Sequence, residues 1–254
     1  MDNGGYIGRR TSDASLRYFF DQINPINIEE GLIRIGEKGD GGYLLPDDLG
    51  GISACFSPGV SSEVSFDLEL AERGILCYLA DYSVDRPPVS HARFDFEKKY
   101  LGTEDDGIYL TLENWINIKE SSKEGFILQM DIEGAEYAVI LSTPTHVLQK
   151  FRILIIEFHQ LNELFCFPGM QLIDLTFRKL LKYFDIVHIH PNNCLATVGY
   201  SRYQVPPVME FTFLRKDRVR NASPAVSFPH LLDIKNAPYL PDVILPECWR
   251  NTRG

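Results

Sequence analysis

Three carboxylates, Asp131, Glu133 and Glu136, fall within six residues of this chain, and Glu157 and His159 follow further along. Carboxylates and an imidazole can take up a proton, accept hydrogen bonds from a hydroxyl, or hold a divalent cation. Each group stands where an apolar run stops. Ile127-Leu128-Gln129-Met130 precedes Asp131, Ile153-Leu154-Ile155-Ile156 precedes Glu157-Phe158-His159, and Phe184 to His190 precedes Pro191-Asn192-Asn193. Such runs read as strands buried on both faces, and open parallel sheets bind ligands at the carboxyl ends of their strands. That edge is therefore the predicted working edge. Asp131, Glu157 and His159 are expected to surround a reacting hydroxyl, with His190 as second choice for the base. Asp131, Glu157 and Asn192 also make an oxygen-rich set suited to Mg²⁺. Spacing does not choose between base and metal. Glu136 is read as a first-turn acid of the next helix.

A second constellation precedes this one. Ala54 to Val60 reads as a strand leaving through Ser57-Pro58-Gly59. A helix follows, capped by Ser61 or Ser62, with Val64, Leu68 and Ala71 on one face and Gly74 at its end. Ile75 to Ala80 is the next strand and stops at Asp81-Tyr82. Strand, glycine turn, helix, strand and acid is the plan of a nucleotide-binding βαβ unit. Gly59 lets backbone approach a ligand, and Asp81 can accept hydrogen bonds from a ribose diol. The turn lacks G-x-G-x-x-G, which weighs against a nicotinamide dinucleotide.

The remaining elements must position these groups. Ser15 to Ile23 reads as a helix, and Leu32 to Pro46 as a hairpin around Asp40-Gly41-Gly42. A structural hairpin and a ligand-covering loop both fit that pattern. His91 to Phe96 alternates as an edge strand. Leu110 to Ile116 is a short helix with Trp115 in the core, and Ala135 to Leu141 is a helix that Pro144 ends. Leu161 to Met170 carries Phe165 and Phe167 as a mobile lid or a packed loop. Gln171 to Tyr183 is a helix. Met209 to Leu214 closes the sheet as an antiparallel strand. Residues 216–254 hold five prolines and read as an extended tail with Trp249 as anchor. The division is one domain over 1–254: an N-terminal helix and hairpin (1–50), an α/β core (51–215) and the proline-rich tail (216–254).

The 254 residues suit one large domain, with 44% hydrophobic and 24% charged residues. A net charge of −10 excludes an ordinary nucleic-acid surface. No apolar run is long enough for membrane insertion, and Met1 to Thr11 has no signal-like segment. Five scattered cysteines without a paired framework fit a reducing, cytoplasmic setting.

Arg34-Ile35-Gly36, Asp40-Gly41-Gly42-Tyr43, Ser57 to Phe66, Asp131-Ile132-Glu133-Gly134-Ala135-Glu136, Ile156-Glu157-Phe158-His159 and His188 to Asn193 together resemble the FkbM family of S-adenosylmethionine-dependent methyltransferases. The resemblance runs in order from about Leu32 to Leu214, and D-x-E-G-A-E is its most specific piece. It implies a class I methyltransferase (Rossmann-like) fold, with a seven-stranded, mostly parallel sheet, helices on both faces and a reversed last strand. It also implies O-methylation of a sugar, glycan or other polyhydroxy small molecule. Ser57, Pro58 and Gly59 would then pack on the methionine end of the cofactor, and Asp81 would hold its ribose. Tyr82 would pack on the adenosine, Asp95 and Phe96 would flank the adenine, and Asp131 would face the amino-acid moiety or the reacting centre. The exit Ser57-Pro58-Gly59-Val60-Ser61 is poorer in glycine than the family's usual loop. A nicotinamide-dependent oxidoreductase and an inactive methyltransferase-like binding module are the alternatives.

Overall fold

The apolar runs become strands because their residues alternate between two buried faces. In the computed structural model, which describes residues 9–120 and 123–250, seven of them form the central sheet. The polar opening of the chain lies outside the described residues up to position 8. The strands are β1 (Ala54–Pro58), β2 (Leu76–Ala80), β3 (Phe94–Glu97), β4 (Phe126–Met130), β5 (Phe151–Phe158), β6 (Phe184–Pro191) and β7 (Met209–Arg215). Their spatial order is β3-β2-β1-β4-β5-β7-β6. β7 runs antiparallel to both its neighbours, and every other pair is parallel. This mixed α/β arrangement is compatible with a Rossmann-like fold. The chain winds outward from β1 to β3 and then returns to lay β4 on the other side of β1. The crevice between the β1 and β4 exits is thus the topological switch point, where open α/β sheets hold ligands.

On one face, Phe56, Leu128, Leu154 and Ile156 pack against helices α1 (Asp13–Phe20), α3 (Leu112–Glu120), α4 (Glu136–Ser142) and α6 (Phe167–Leu181). Trp115 is fully buried there, as the sequence predicts. The short α5 (Thr145–Leu148) starts after Pro144. On the other face, Ile127, Ile153 and Ile155 meet α2 (Ser65–Glu72) and a hairpin of Leu32–Ile35 with Tyr43–Pro46. The hairpin covers the sheet where a helix would otherwise lie. The Thr212 hydroxyl donates to the Leu44 carbonyl at 2.6 Å, and the Gln129 amide donates to the Tyr43 hydroxyl at 3.2 Å.

Several expectations shift. β7 does not close the sheet but lies between β5 and β6, because Met209 to Leu214 is buried on both faces, and an edge position would expose it. β5 runs on to Phe158, so Glu157 lies within the strand. α2 begins after Val64 with no side-chain cap, since Ser61 is turned back toward Asp81. α6 begins at Phe167 with a proline in its first turn, the position that needs no N–H. Phe165 packs against the core with its ring 5.5 Å from that of Tyr200, so this segment is a packed loop and not a lid. Trp249 anchors the tail as expected: it is fully buried, 4.9 Å from the Phe20 ring, and its indole donates to the Gln204 carbonyl. All five cysteines are free thiols. No helix among the described residues is long and apolar enough to cross a membrane.

One buried acid makes the fold sensitive to pH. Asp67 on α2 is 2% exposed, its Oδ1 has no hydrogen-bond partner, and burial raises its carboxyl to about 7. Between the ordinary carboxylate range and pH 7 the native state therefore binds a proton that the unfolded chain has released. Stability contributed by this proton is complete at acid pH and is lost as pH rises toward 7, by roughly 1.4 kcal/mol per pH unit inside the window. Asp67→Asn should remove that slope. Urea denaturation of both proteins at pH 5 and pH 8 checks it, and parallel stability–pH curves would count against the assignment.

Candidate functional site

A cavity of about 590 Å³ opens at the switch point, within the usual range for small-molecule sites. Its floor is made by Gly59, Val60, Ser61, Asp81 and Ser83 after β1 and β2, and by Asp131 to Glu133 after β4. Asp40, Gly41 and Tyr43 of the hairpin form one wall, so the hairpin both packs on the sheet and walls the cavity. Tyr100, Leu101 and Tyr109 form another. The lining holds six carboxylates (Asp40, Glu63, Asp67, Asp81, Asp131 and Glu133), and among the described residues no Lys, Arg or His.

Gly59 has φ +91°, and a Cβ there would collide with the backbone carbonyl of Asp131. The glycine is required first by the close approach of two chain segments, which brings both exits to one cavity. Asp81 is 4% exposed; its Oδ2 accepts from the Ser61 N–H at 2.8 Å and its Oδ1 from the Ser83 N–H at 2.7 Å. Each oxygen keeps a further lone pair that can accept. Asp81 thus ties the exits of β1 and β2 together and lines the cavity.

Beside this cavity the Asp131 turn and the end of β5 converge on His159. Glu136 is fully buried, and its Oε1 accepts the N–H groups of Ile132 (3.2 Å) and Gly134 (3.0 Å) and lies 3.1 Å from His159 Nδ1. It therefore both folds the turn and orients the imidazole, a larger part than that of a first-turn acid. The Tyr137 hydroxyl donates to the His159 carbonyl at 2.6 Å. The opposite ring nitrogen, Nε2, faces Glu133 Oε2 at 3.5 Å, Asp131 Oδ1 at 3.8 Å and Glu157 Oε1 at 3.8 Å. Glu133 and Gln160, on either side of the ring, hold left-handed backbone (φ +57° and +55°), which non-glycine residues adopt rarely and often at functional sites. Burial raises the Asp131 carboxyl to about 7, opposed by His159 and reinforced by Glu133 and Glu136. Burial, then Asp131 and Glu210, push Glu157 well above the carboxylate range. Burial works to lower His159, but the Glu136 hydrogen bond and the surrounding carboxylates outweigh it and leave the imidazole raised. The structure thus brings Asp131, Glu157 and His159 together.

It does not bring His190 with them. β7 separates β5 from β6, so Glu157 pairs with Glu210 and Glu210 with His190, two strand spacings from Glu157. There His190 Nδ1 lies 3.7 Å from Asp233 of the tail, whose Oδ1 is 2.8 Å from His188 Nε2. His190 belongs to the clamp that holds the tail. Asn192 is not an oxygen ligand either: its Nδ2 donates to Glu157, and its Oδ1 accepts from the Cys194 N–H. The atoms that could share a cation belong to Asp131, Glu133 and His159, all within 4.8 Å of one another.

Among the residues expected to hold a cofactor, Gly59, Asp81 and Asp131 line the cavity. Ser57 lies beneath it and donates to Gln129 at 2.7 Å, while the Pro58 carbonyl accepts the Asp131 N–H. Tyr82 sits outside, its ring 5.4 Å from that of Tyr100. Asp95 and Phe96 do not reach the cavity. β3 is a short edge strand on which Asp95 pairs with Lys119 at 2.8 Å and Phe96 packs on the second core. Tyr100 and Tyr109, which sequence reasoning missed, take the wall instead. They lie on two short paired segments, Tyr100–Gly102 and Tyr109–Thr111, whose few residues carry too little periodicity to be read. No family model matches the chain, and no curated protein matches it.

The Gly59 contact is testable against Gly74, which has nearly the same φ (+93°) but open space around its missing side chain. Both alanine variants bear the left-handed penalty, but only Gly59→Ala also forces the β1 and β4 exits apart. It should cost about 1–3 kcal/mol more than Gly74→Ala by chemical denaturation, the range for overpacking. Equal losses would mean that the two exits are not held in contact.

Proposed function

We propose that the protein is a class I, S-adenosylmethionine-dependent O-methyltransferase acting on a hydroxyl of a sugar, glycan or other polyhydroxy small molecule. The observation that carries this reading is the charge of the cavity. Six carboxyl groups, of which burial raises only Asp67 and Asp131 to about 7, and no cation among the described lining residues suit a positively charged sulfonium and amino group. The same lining would repel the pyrophosphate of a nicotinamide dinucleotide. The reversed β7 supports the fold class that the FkbM resemblance implies. Bound there, the cofactor would supply an electrophilic methyl group carried on sulfur. Gly59 would give it room beside the β1 exit, and the free lone pairs of Asp81 would accept from its ribose hydroxyls. Tyr100 and Tyr109 offer aromatic faces at the wall. The Asp131 and His159 cluster at the end of the cavity would orient the acceptor hydroxyl and help remove its proton, and much of the rate would come from alignment alone. The acidic surroundings favour a neutral or cationic acceptor over a phosphorylated one.

Calorimetry should show binding of S-adenosylmethionine and none of NAD(P)H, and the reverse result would refute the proposal. Asp81→Asn keeps an acceptor for the backbone but removes charge and one oxygen. It should weaken cofactor binding about tenfold or more, as for a hydrogen bond to a charged group worth roughly 1.5–3 kcal/mol. An unchanged dissociation constant would take Asp81 out of the ribose site. Once a screen of labelled methyl transfer to sugars and glycans has identified an acceptor, Asp131→Asn should lower turnover by about a hundredfold or more. Near-normal turnover would place the chemistry elsewhere.

A further inference from the structure

The geometry around His159 points to a binding site for one first-row divalent transition-metal ion, held by Asp131, Glu133 and His159 beside the buried carboxyl of Glu157; we propose this site independently of methyl transfer. Three carboxylate oxygens surround Nε2 at 3.5, 3.8 and 3.8 Å. These separations are too long for good hydrogen bonds. They are close to the edge of a coordination tetrahedron, roughly 3.4 Å for metal–ligand bonds of about 2.0–2.2 Å.

A second observation is independent of the cluster's acidity. Glu157 is only 5% exposed; its Oε1 accepts from Asn192 at 3.2 Å and lies 3.8 Å from His159 Nε2, and its Oε2 has no hydrogen-bond partner. Asp131 Oδ1 is likewise buried and unpartnered. Buried carboxylate oxygens left bare are costly, and a cation at Asp131 Oδ1 would satisfy that oxygen and offset the charge of Glu157 beside it. The imidazole is prepared for the same task. If Nδ1–H is given to the fully buried Glu136 and a metal ion takes the place of the proton on Nε2, His159 presents the Nε2 lone pair to that ion, the carboxylate–histidine–metal arrangement of protein metal sites. Glu133 completes the set from the exposed side, its side chain 87% accessible, so an ion can enter without the core opening. A nitrogen donor among carboxylates selects Mn²⁺, Fe²⁺, Co²⁺ or Zn²⁺ over Mg²⁺, which prefers oxygen alone.

The test uses the full chain after dialysis against EDTA. Titrated with Co²⁺, it should take up one ion per chain and develop a visible d–d absorption band. Zn²⁺ should displace that band, and millimolar Mg²⁺ should not. Glu133→Gln changes an exposed side chain and should leave the melting temperature unchanged while weakening Co²⁺ binding about tenfold or more. His159→Ala should abolish the band, and Glu136→Gln should weaken binding by about 10–100-fold through the orientation of the ring. The proposal is overturned if the wild-type chain binds no stoichiometric Co²⁺ or Mn²⁺, if Mg²⁺ displaces Co²⁺ at equal concentration, or if Glu133→Gln binds like wild type. S-adenosylmethionine binding, measured separately on the EDTA-treated chain, distinguishes failure of this site from failure of the cofactor cavity.

Discussion

Taking carboxylates out of water is costly unless charge, hydrogen bonds or protonation compensate, and this molecule does so in a row. Asp131, at the exit of β4, Glu157 on β5 and Glu210 on β7 lie side by side at the carboxyl edge of the sheet, and His190 on β6 continues the line. Parts of the chain far apart in sequence are recruited to compensate them. His159 and Asn192 come from the exits of β5 and β6 to face Glu157. Asn236 of the tail donates to Glu210 at 2.7 Å, while Asp233 of the same segment answers His188 and His190. The tail has little regular structure of its own, so it is placed by these polar contacts together with the buried Trp249.

The same row divides the edge into two parts with different uses. At the β6 and β7 side the tail packs on the edge, and Asn193 donates to tail carbonyls at Ala237 and Pro241. At the β4 side the edge stays open to the cavity, because the close approach of Gly59 to Asp131 turns both exits toward one space. At this open end Asp131 and Glu157 are buried without full pairing, which leaves acceptor oxygens free. A buried group whose charge is compensated, like Asp233, is inert by comparison.

The hairpin explains how a polar site survives on a buried face. A helix packed there would present an apolar stripe to the sheet. Instead Tyr43 reaches Gln129, which in turn accepts from Ser57, so three polar side chains line up under the cavity with their hydrogen bonds satisfied. The hairpin also carries Asp40 to the cavity wall.

The sequence by itself determined the parts that depend on local pattern. Apolar runs ending in acids identified strands of the sheet and its expected working edge, and Gly59 between the first two strands of a βαβ pattern marked a place of close backbone approach. Asp131, Glu157 and His159 were legible as one group because parallel neighbours end at the same edge. Glu136 was legible as a helix acid but not as the partner of His159, since that contact spans two elements. Where β7 lies was decided only in three dimensions. Its pattern shows that it is a strand, but only the packing of its two buried faces between β5 and β6 separates His190 from Glu157. Asp95 and Phe96 fall away from the cavity for a similar reason: alternation reveals a strand, whereas whether its end reaches the cavity depends on how far the next segment folds back. Tyr100 and Tyr109 come from such a return, and contacts of that kind leave no periodic trace along the chain.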